Sequence, residues 1–213
     1  MDAVLVKDNF LHPTFHQGMV DWVRNSAEFV DMVVSEKHFY VAEVPEPHLD
    51  LITTKLENLI GKKIKCLQPF YRMATEELDT DWRIHCDRHV GTEERPTHGF
   101  VYYITEHNSI GQESIYGTAL WDHTKYGHRL PESLTDDVSD KILMEHANDR
   151  DKWKLRNVCM GNKNKMITYP ANYFHSKFPN KAWGKDQKDC RIVLVMFYKI
   201  KYKWQKEKNQ KKK

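Results

Sequence analysis

Apolar residues recur at offsets of three and four over about Pro47 to Ile60, through Leu49, Ile52, Leu56, Leu59 and Ile60, and Gly61 supplies a C-terminal stop. That spacing predicts a helix. A second helix is expected over Pro13 to Val34, where Met19, Val20, Trp22 and Val23 give a mixed apolar face, and a third over roughly Glu132 to Asn148. From residue 62 the texture changes to short aromatic and β-branched stretches between polar loops. Strands are expected at Lys63 to Met73, Trp82 to Asp87, Gly99 to Thr105, Thr118 to Trp121, Lys154 to Met160, Lys165 to Tyr169, Tyr173 to Phe178 and Arg191 to Tyr202. Strands and helices do not alternate, so about eight short strands after a helical start fit a mainly β, two-sheet jelly roll better than a parallel α/β fold.

Length and composition narrow the class further. The 213 residues suit one domain, hydrophobic residues make up 40% and charged residues 30%, and no internal repeat or linker divides the chain. The expected division is a helical support over 1–61, a β core over 62–202 and a Lys-rich tail over 203–213. The longest apolar run, Ile192 to Tyr198, is far short of a membrane span, and the N-terminus lacks a secretory pattern, so no membrane and a cytoplasmic setting are expected. Cys66, Cys86, Cys159 and Cys190 lie apart with no C-x-x-C pair, which predicts free thiols. The net charge of +3 hints at an anionic partner. Residues 199 to 213, however, carry eight Lys and one Glu, which leaves the rest of the chain at −4. A solvated terminal charge run accounts for the tail, and nucleic acid is not an expected partner.

Candidate chemistry lies in the 12 histidines. His-x-Asp occurs at His48-Leu49-Asp50 and at His85-Cys86-Asp87, and about one such pair is expected by chance. In a strand the first and third residues share a face, whereas in a helix they diverge by about 200°. His48 and Asp50 open the best helical pattern and are discounted; His85 and Asp87 lie on an expected strand, with Cys86 facing away. His175, 88 residues after Asp87, is the candidate third ligand of a facial 2-His-1-carboxylate site, although, taken alone, it is better explained as a half-buried, hydrogen-bonded histidine. His89, His98, His123 and His128 read as loop histidines near the expected mouth, and Trp82, Trp121, Trp153 and Trp183 as core or rim packing.

Several segments together resemble the Fe(II)/2-oxoglutarate-dependent oxygenase superfamily, over roughly residues 65 to 200. They are His85-Cys86-Asp87; Phe100-Val101-Tyr102-Tyr103-Ile104, similar to the strand that follows the H-x-D strand in prolyl-hydroxylase-like members; and Gly117-Thr118-Ala119-Leu120-Trp121. Asn164-Lys165-Met166-Ile167-Thr168-Tyr169-Pro170 followed by His175-Ser176 is similar to the segment carrying the distal ligand, and Arg191 to Tyr198 to the final strand. The nearest likeness is to small, single-domain hydroxylases encoded by phages and bacteria, so a phage-encoded protein acting in the host cytoplasm is one expectation. Val193 stands where many relatives have Ser and Lys165 where Arg is frequent, so one cosubstrate hydrogen bond and one strand-end contact are expected to differ.

The resemblance implies a double-stranded β-helix (jelly roll) with N-terminal helices packed on it. It implies Fe(II) held by His85, Asp87 and His175, with 2-oxoglutarate and O2 as cosubstrates, and Arg191 meeting the far carboxylate of 2-oxoglutarate. Tyr103, Tyr71 and Thr118 are candidates for hydrogen bonds to that carboxylate, and core packing explains each as well. The implied activity is a dioxygenase that hydroxylates a substrate the loops do not disclose, releasing succinate and CO2. Two other readings stand beside it: a metal-binding, cupin-like jelly roll without oxygenase activity, and a basic-tailed nucleic-acid-associated protein.

Overall fold

The computed structural model describes residues 3–34, 37–79, 83–89, 92–107, 116–179 and 182–201. Trp82 and the Lys-rich tail beyond 201 lie outside the described residues. Helix α1 spans Pro13–Asn25, opened by Pro13 in its first turn, and α2 spans Glu46–Ile60. Gly61 closes α2 in the left-handed conformation (φ 65°), where a side chain would be strained. A third helix, α3, covers Asp136–Glu145.

Among the described residues ten strands form two antiparallel sheets. The large sheet contains β1 (Leu5–Lys7), β2 (Val30–Val34), β3 (Lys37–Ala42), β4 (Ile64–Ala74), β5 (His98–Tyr103), β8 (Lys165–Pro170) and β10 (Arg191–Ile200), in the order β1-β8-β5-β10-β4-β3-β2. The small sheet is β7 (Trp153–Met160), β6 (Gly117–His123) and β9 (His175–Phe178), in the order β7-β6-β9. These two layers, with helices on one of them, are the expected mainly β jelly roll.

Three strands lie in the part expected to be helical. The first expected helix stops at Asn25, and Val30–Val34 instead forms β2, an edge strand paired only with β3. Its valines stay exposed (Val30 61%, Val33 58%), so this apolar cluster serves no helix face at all. The extended stretch expected at Trp82 to Asp87 shrinks to a bridge between His85 and His175, after which Asp87–His89 turns as a 3-10 helix.

Strand alternation gives the large sheet two unlike faces. One carries Met73, Phe100, Tyr102, Ile104, Met166, Ile192, Leu194 and Met196, all buried against Met19 and Val23 of α1 and Ile52 and Leu56 of α2. The opposite face carries Val101, Tyr103, Ile167, Tyr169 and Val193 and looks toward the small sheet. Beyond that sheet a separate cluster of Ile84, Cys86, Ala119, Trp121, Leu130, Trp153 and Phe174 fills the far side. The space between the sheets holds the candidate site.

Candidate active site

Backbone pairing brings the first group of residues together. His85 and His175 exchange both backbone hydrogen bonds, N–H to carbonyl at 3.0 and 2.8 Å, and the Asp87 N–H donates to the Ala171 carbonyl at 2.7 Å. Two distant segments are thereby tied at the residues that carry the imidazoles. Cys86 faces the far cluster, as strand geometry requires. Gly99 on β5 makes room for the carboxylate: a Cβ there would lie 2.4 Å from Asp87 Oδ2. Only glycine fits that approach.

Each ring is oriented from behind. His85 Nδ1 lies 2.8 Å from the Arg83 carbonyl and His175 Nδ1 lies 3.0 Å from the Tyr173 carbonyl. Because a carbonyl only accepts, those nitrogens carry the protons and both Nε2 lone pairs face inward. The two Nε2 atoms stand 3.9 and 3.5 Å from the same Asp87 Oδ1. Two atoms each about 2.1 Å from a shared ion can be no more than about 4.2 Å apart, so both separations fit a common metal. One atom from each of the three residues lies within 4.8 Å of the others, the one such group among the described residues.

The protonation states suit a cation. Burial pushes both imidazoles down to about 4, so they are neutral ligands at neutral pH. Burial also raises the Asp87 carboxyl to about 6, against the pull of His85 and the Tyr169 hydroxyl. Its Oδ2 is buried without a hydrogen bond of ordinary geometry. A buried carboxylate in that state calls for a positive charge, and a bound divalent metal supplies it.

The second group lies in the same cavity of about 80 Å³, lined by His85, Asp87, His175, Thr118, Lys177 and Arg191 among others. Arg191 opens β10 and is 5% exposed. Among the described residues no carboxylate lies within ion-pair distance of it. The Tyr103 hydroxyl and Thr118 Oγ1 are 2.6 Å apart, and Thr118 lines the cavity with Arg191. Arg191 and Thr118 thus share the cavity wall, and Tyr103 reaches it through Thr118.

Tyr71 does not. Its pairing with Leu194 puts it on the helix-covered face, where it is fully buried, packs against Trp22 and has its hydroxyl 2.8 Å from His48 Nδ1. The expectation that Tyr71 binds the cosubstrate is corrected. The neighbouring Arg72 faces the cavity instead. Arg72, Asp79 and Lys177 were not singled out by sequence reasoning; an arginine inside an apolar strand and a lysine two residues after His175 were the available signals.

Several of the other histidines and tryptophans make packing contacts and hydrogen bonds apart from the triad. His123 Nε2 is 3.0 Å from His146 Nδ1, and its ring packs on Trp153 and Phe174, far from a ligand arrangement. His98 stacks on Tyr198. Trp121 donates to Ser176 Oγ at 3.0 Å and Trp153 to the His146 carbonyl at 2.6 Å, while Trp183 packs on Tyr116.

The structure resembles several solved proteins. With SnoK, a non-heme, alpha-ketoglutarate-dependent carbocyclase of nogalamycin biosynthesis, the TM-score is 0.60 at 11% identity, over 99% of this chain and 86% of that one. With HygX from Streptomyces hygroscopicus, solved with nickel and 2-oxoglutarate bound, it is 0.58 at 9% identity, over 92% and 82%. With a Pseudomonas putida prolyl-4-hydroxylase it is 0.55 at 10% identity, over 95% of both chains. The chain has the fold of the 2-oxoglutarate-dependent oxygenases. No protein-family model and no curated protein matches its sequence. At these identities the likeness concerns architecture, so the chemistry is argued from the site. No helix among the described residues is long and apolar enough to cross a membrane.

Proposed function

We propose that the protein is an Fe(II)- and 2-oxoglutarate-dependent dioxygenase that hydroxylates a substrate, with release of succinate and CO2. One observation carries the reading: His85, Asp87 and His175 converge on one cavity that also presents the buried Arg191, which has no carboxylate within ion-pair distance among the described residues. A metal site alone would explain the triad and leave the arginine without a purpose, which sets the cupin-like alternative aside. The neighbour HygX was solved with nickel and 2-oxoglutarate together, which supports the pairing of the two ligand types in this fold.

The roles follow from the geometry. His85 and His175 would hold the metal through Nε2 and Asp87 through its carboxylate, leaving the opposite side of the ion open. Fe(II) bound there supplies the activation of O2 that is coupled to decarboxylation of the 2-oxo acid. The Arg191 guanidinium neutralises the far carboxylate, with two parallel N–H donors that match its two oxygens. The Thr118 hydroxyl, on the cavity wall and bonded to that of Tyr103, would stand beside that carboxylate. Phe70, Val101, Val193, Val195 and Phe197 give the cavity an apolar lining.

We place the reaction in the cytoplasm, where the free thiols Cys66, Cys86, Cys159 and Cys190 persist. The reading assigns no role to nucleic acid. Purified protein given Fe(II), ascorbate and 2-oxoglutarate should release succinate, at a rate that rises when a true substrate is added. No succinate under any such condition would refute the reading.

A further inference from the structure

Two more cations face the cosubstrate cavity, and neither belongs to the metal triad. Lys177 on β9 is 6% exposed at its side chain and lies two residues beyond His175, on the same face of the strand. Two residues along a strand span about 7 Å. If His175 marks the metal end of the cavity, Lys177 therefore marks the deep end. Register agrees: Lys177 pairs with Thr118 across β6 and β9, and Thr118 bonds Tyr103 beside Arg191.

Among the described residues one carboxylate stands beside Lys177. Asp79, whose side chain is fully buried, faces both Arg72 and Lys177. The Arg72 fork takes both of its oxygens, at 2.5 Å from Nε and 2.6 Å from the terminal nitrogen. Lys177 Nζ is left with the Asp79 backbone carbonyl and a 3.6 Å approach to Oδ1. Burial opposes ionisation of Asp79, and the Arg72 and Lys177 charges outweigh it and hold the carboxyl below its ordinary range. One carboxylate thus serves Arg72 and steadies Lys177, while Arg191 has none within ion-pair distance among the described residues. Like charges in one buried cavity are costly unless an anion joins them.

We propose that Lys177 is a second anchor for the far carboxylate of the 2-oxo diacid, beside Arg191, and that the Arg72–Asp79 pair is a positioning device that aims it. This rests on the reading of the preceding section and sharpens it. Two cations at the deep end select a dicarboxylic 2-oxo acid over 2-oxo monoacids of similar length. Asp79 ties β4 of the large sheet to β9 of the small one, so the anchor's position depends on both walls of the cavity.

The test is binding to the Fe(II)-loaded, oxygen-free protein, measured by calorimetry with 2-oxoglutarate and with 2-oxopentanoate, which lacks the far carboxylate. A charge-assisted hydrogen bond of this kind predicts that Lys177→Met weakens 2-oxoglutarate about tenfold to a hundredfold. Its binding of 2-oxopentanoate and of Fe(II) should change less than about twofold. Lys177→Arg should restore most of the lost affinity, and Asp79→Asn should reproduce part of the loss. Unchanged 2-oxoglutarate affinity in Lys177→Met would overturn the proposal, as would equal losses for both acids. If the wild-type protein bound Fe(II) but neither acid, the dioxygenase reading itself would fall.

Discussion

The two faces of the large sheet are built from the same strands and do opposite work. Along β4, Tyr71 and Met73 turn to the helices while Phe70 and Arg72 turn to the cavity; along β10, Ile192, Leu194 and Met196 alternate in the same way with Arg191, Val193 and Val195. The helix-covered face is largely self-contained: its apolar side chains meet α1 and α2, the Tyr71 hydroxyl pairs with His48 and that of Tyr102 with His16 Nδ1, and His16 Nε2 alone among the described polar side-chain atoms there is buried without a partner. The cavity face is not. It presents Arg191, which has no carboxylate within ion-pair distance among the described residues, and across the cavity from it stand an imidazole pair with inward lone pairs and a carboxylate raised to about 6. Where a sheet face leaves buried charges unmatched, the missing partners are ligands.

Substitutions should separate the faces. The largest effect is expected from Asp87→Ala, which should abolish Fe(II) binding and leave the metal-free protein folded, since a buried carboxylate is removed rather than an apolar contact; calorimetry with Fe(II) and thermal melts of the metal-free protein check both halves. Leu194→Ala on the other face should do the reverse. Leu194 is fully buried, so truncation should cost about 2 to 5 kcal/mol in denaturant melts, with Fe(II) affinity of the folded protein retained. Tyr71→Phe removes a single buried hydrogen bond to His48 and should cost about 1 kcal/mol, with the apparent affinity for 2-oxoglutarate unmoved. A loss of cosubstrate affinity in Tyr71→Phe would mean that the faces are not independent.

A smaller effect comes from pH. In the metal-free protein Asp87 keeps its proton up to about 6, so Fe(II) must displace that proton below this pH, and affinity should fall as pH drops through 6. The imidazoles, at about 4, add their own loss only lower. For stability the sign is the reverse of that of an ion-paired carboxylate. A carboxyl with a raised folded pKa favours the fold when protonated, so its contribution to the metal-free protein is lost as pH rises from about 4 through 6. Asp87→Asn should flatten that part of the stability profile.

The comparison also shows what was legible in the sequence. The metal ligands could be found because the His-x-Asp spacing suits extended backbone; the strand itself reduces to the bridge at His85 before the 3-10 turn at Asp87, yet Cys86 still takes the opposite side. Arg191 stood out as a charge leading an apolar strand. Tyr71 was misplaced because the side a strand residue takes depends on register with a partner far along the chain. The pairing of Arg72 with Val193 turns Arg72 inward and Tyr71 outward, and a one-residue slip would exchange them. The same holds for Asp79, which is buried only because Arg72 and Lys177 meet it from different sheets. Val30–Val34 resembled a helix continuation because its valines suit several structures, and pairing with β3, a tertiary event, makes it a strand.

The account depends most on one ion having all three ligands at once. Crystals grown with Mn(II) as an inert substitute for Fe(II), measured at an energy where manganese scatters anomalously, would locate it directly. A single strong peak at coordination distance from His85 Nε2, His175 Nε2 and the Asp87 carboxylate, inside the cavity that contains Arg191, is the predicted result. A peak elsewhere, or a fully loaded protein with no peak at this triad, would contradict the account.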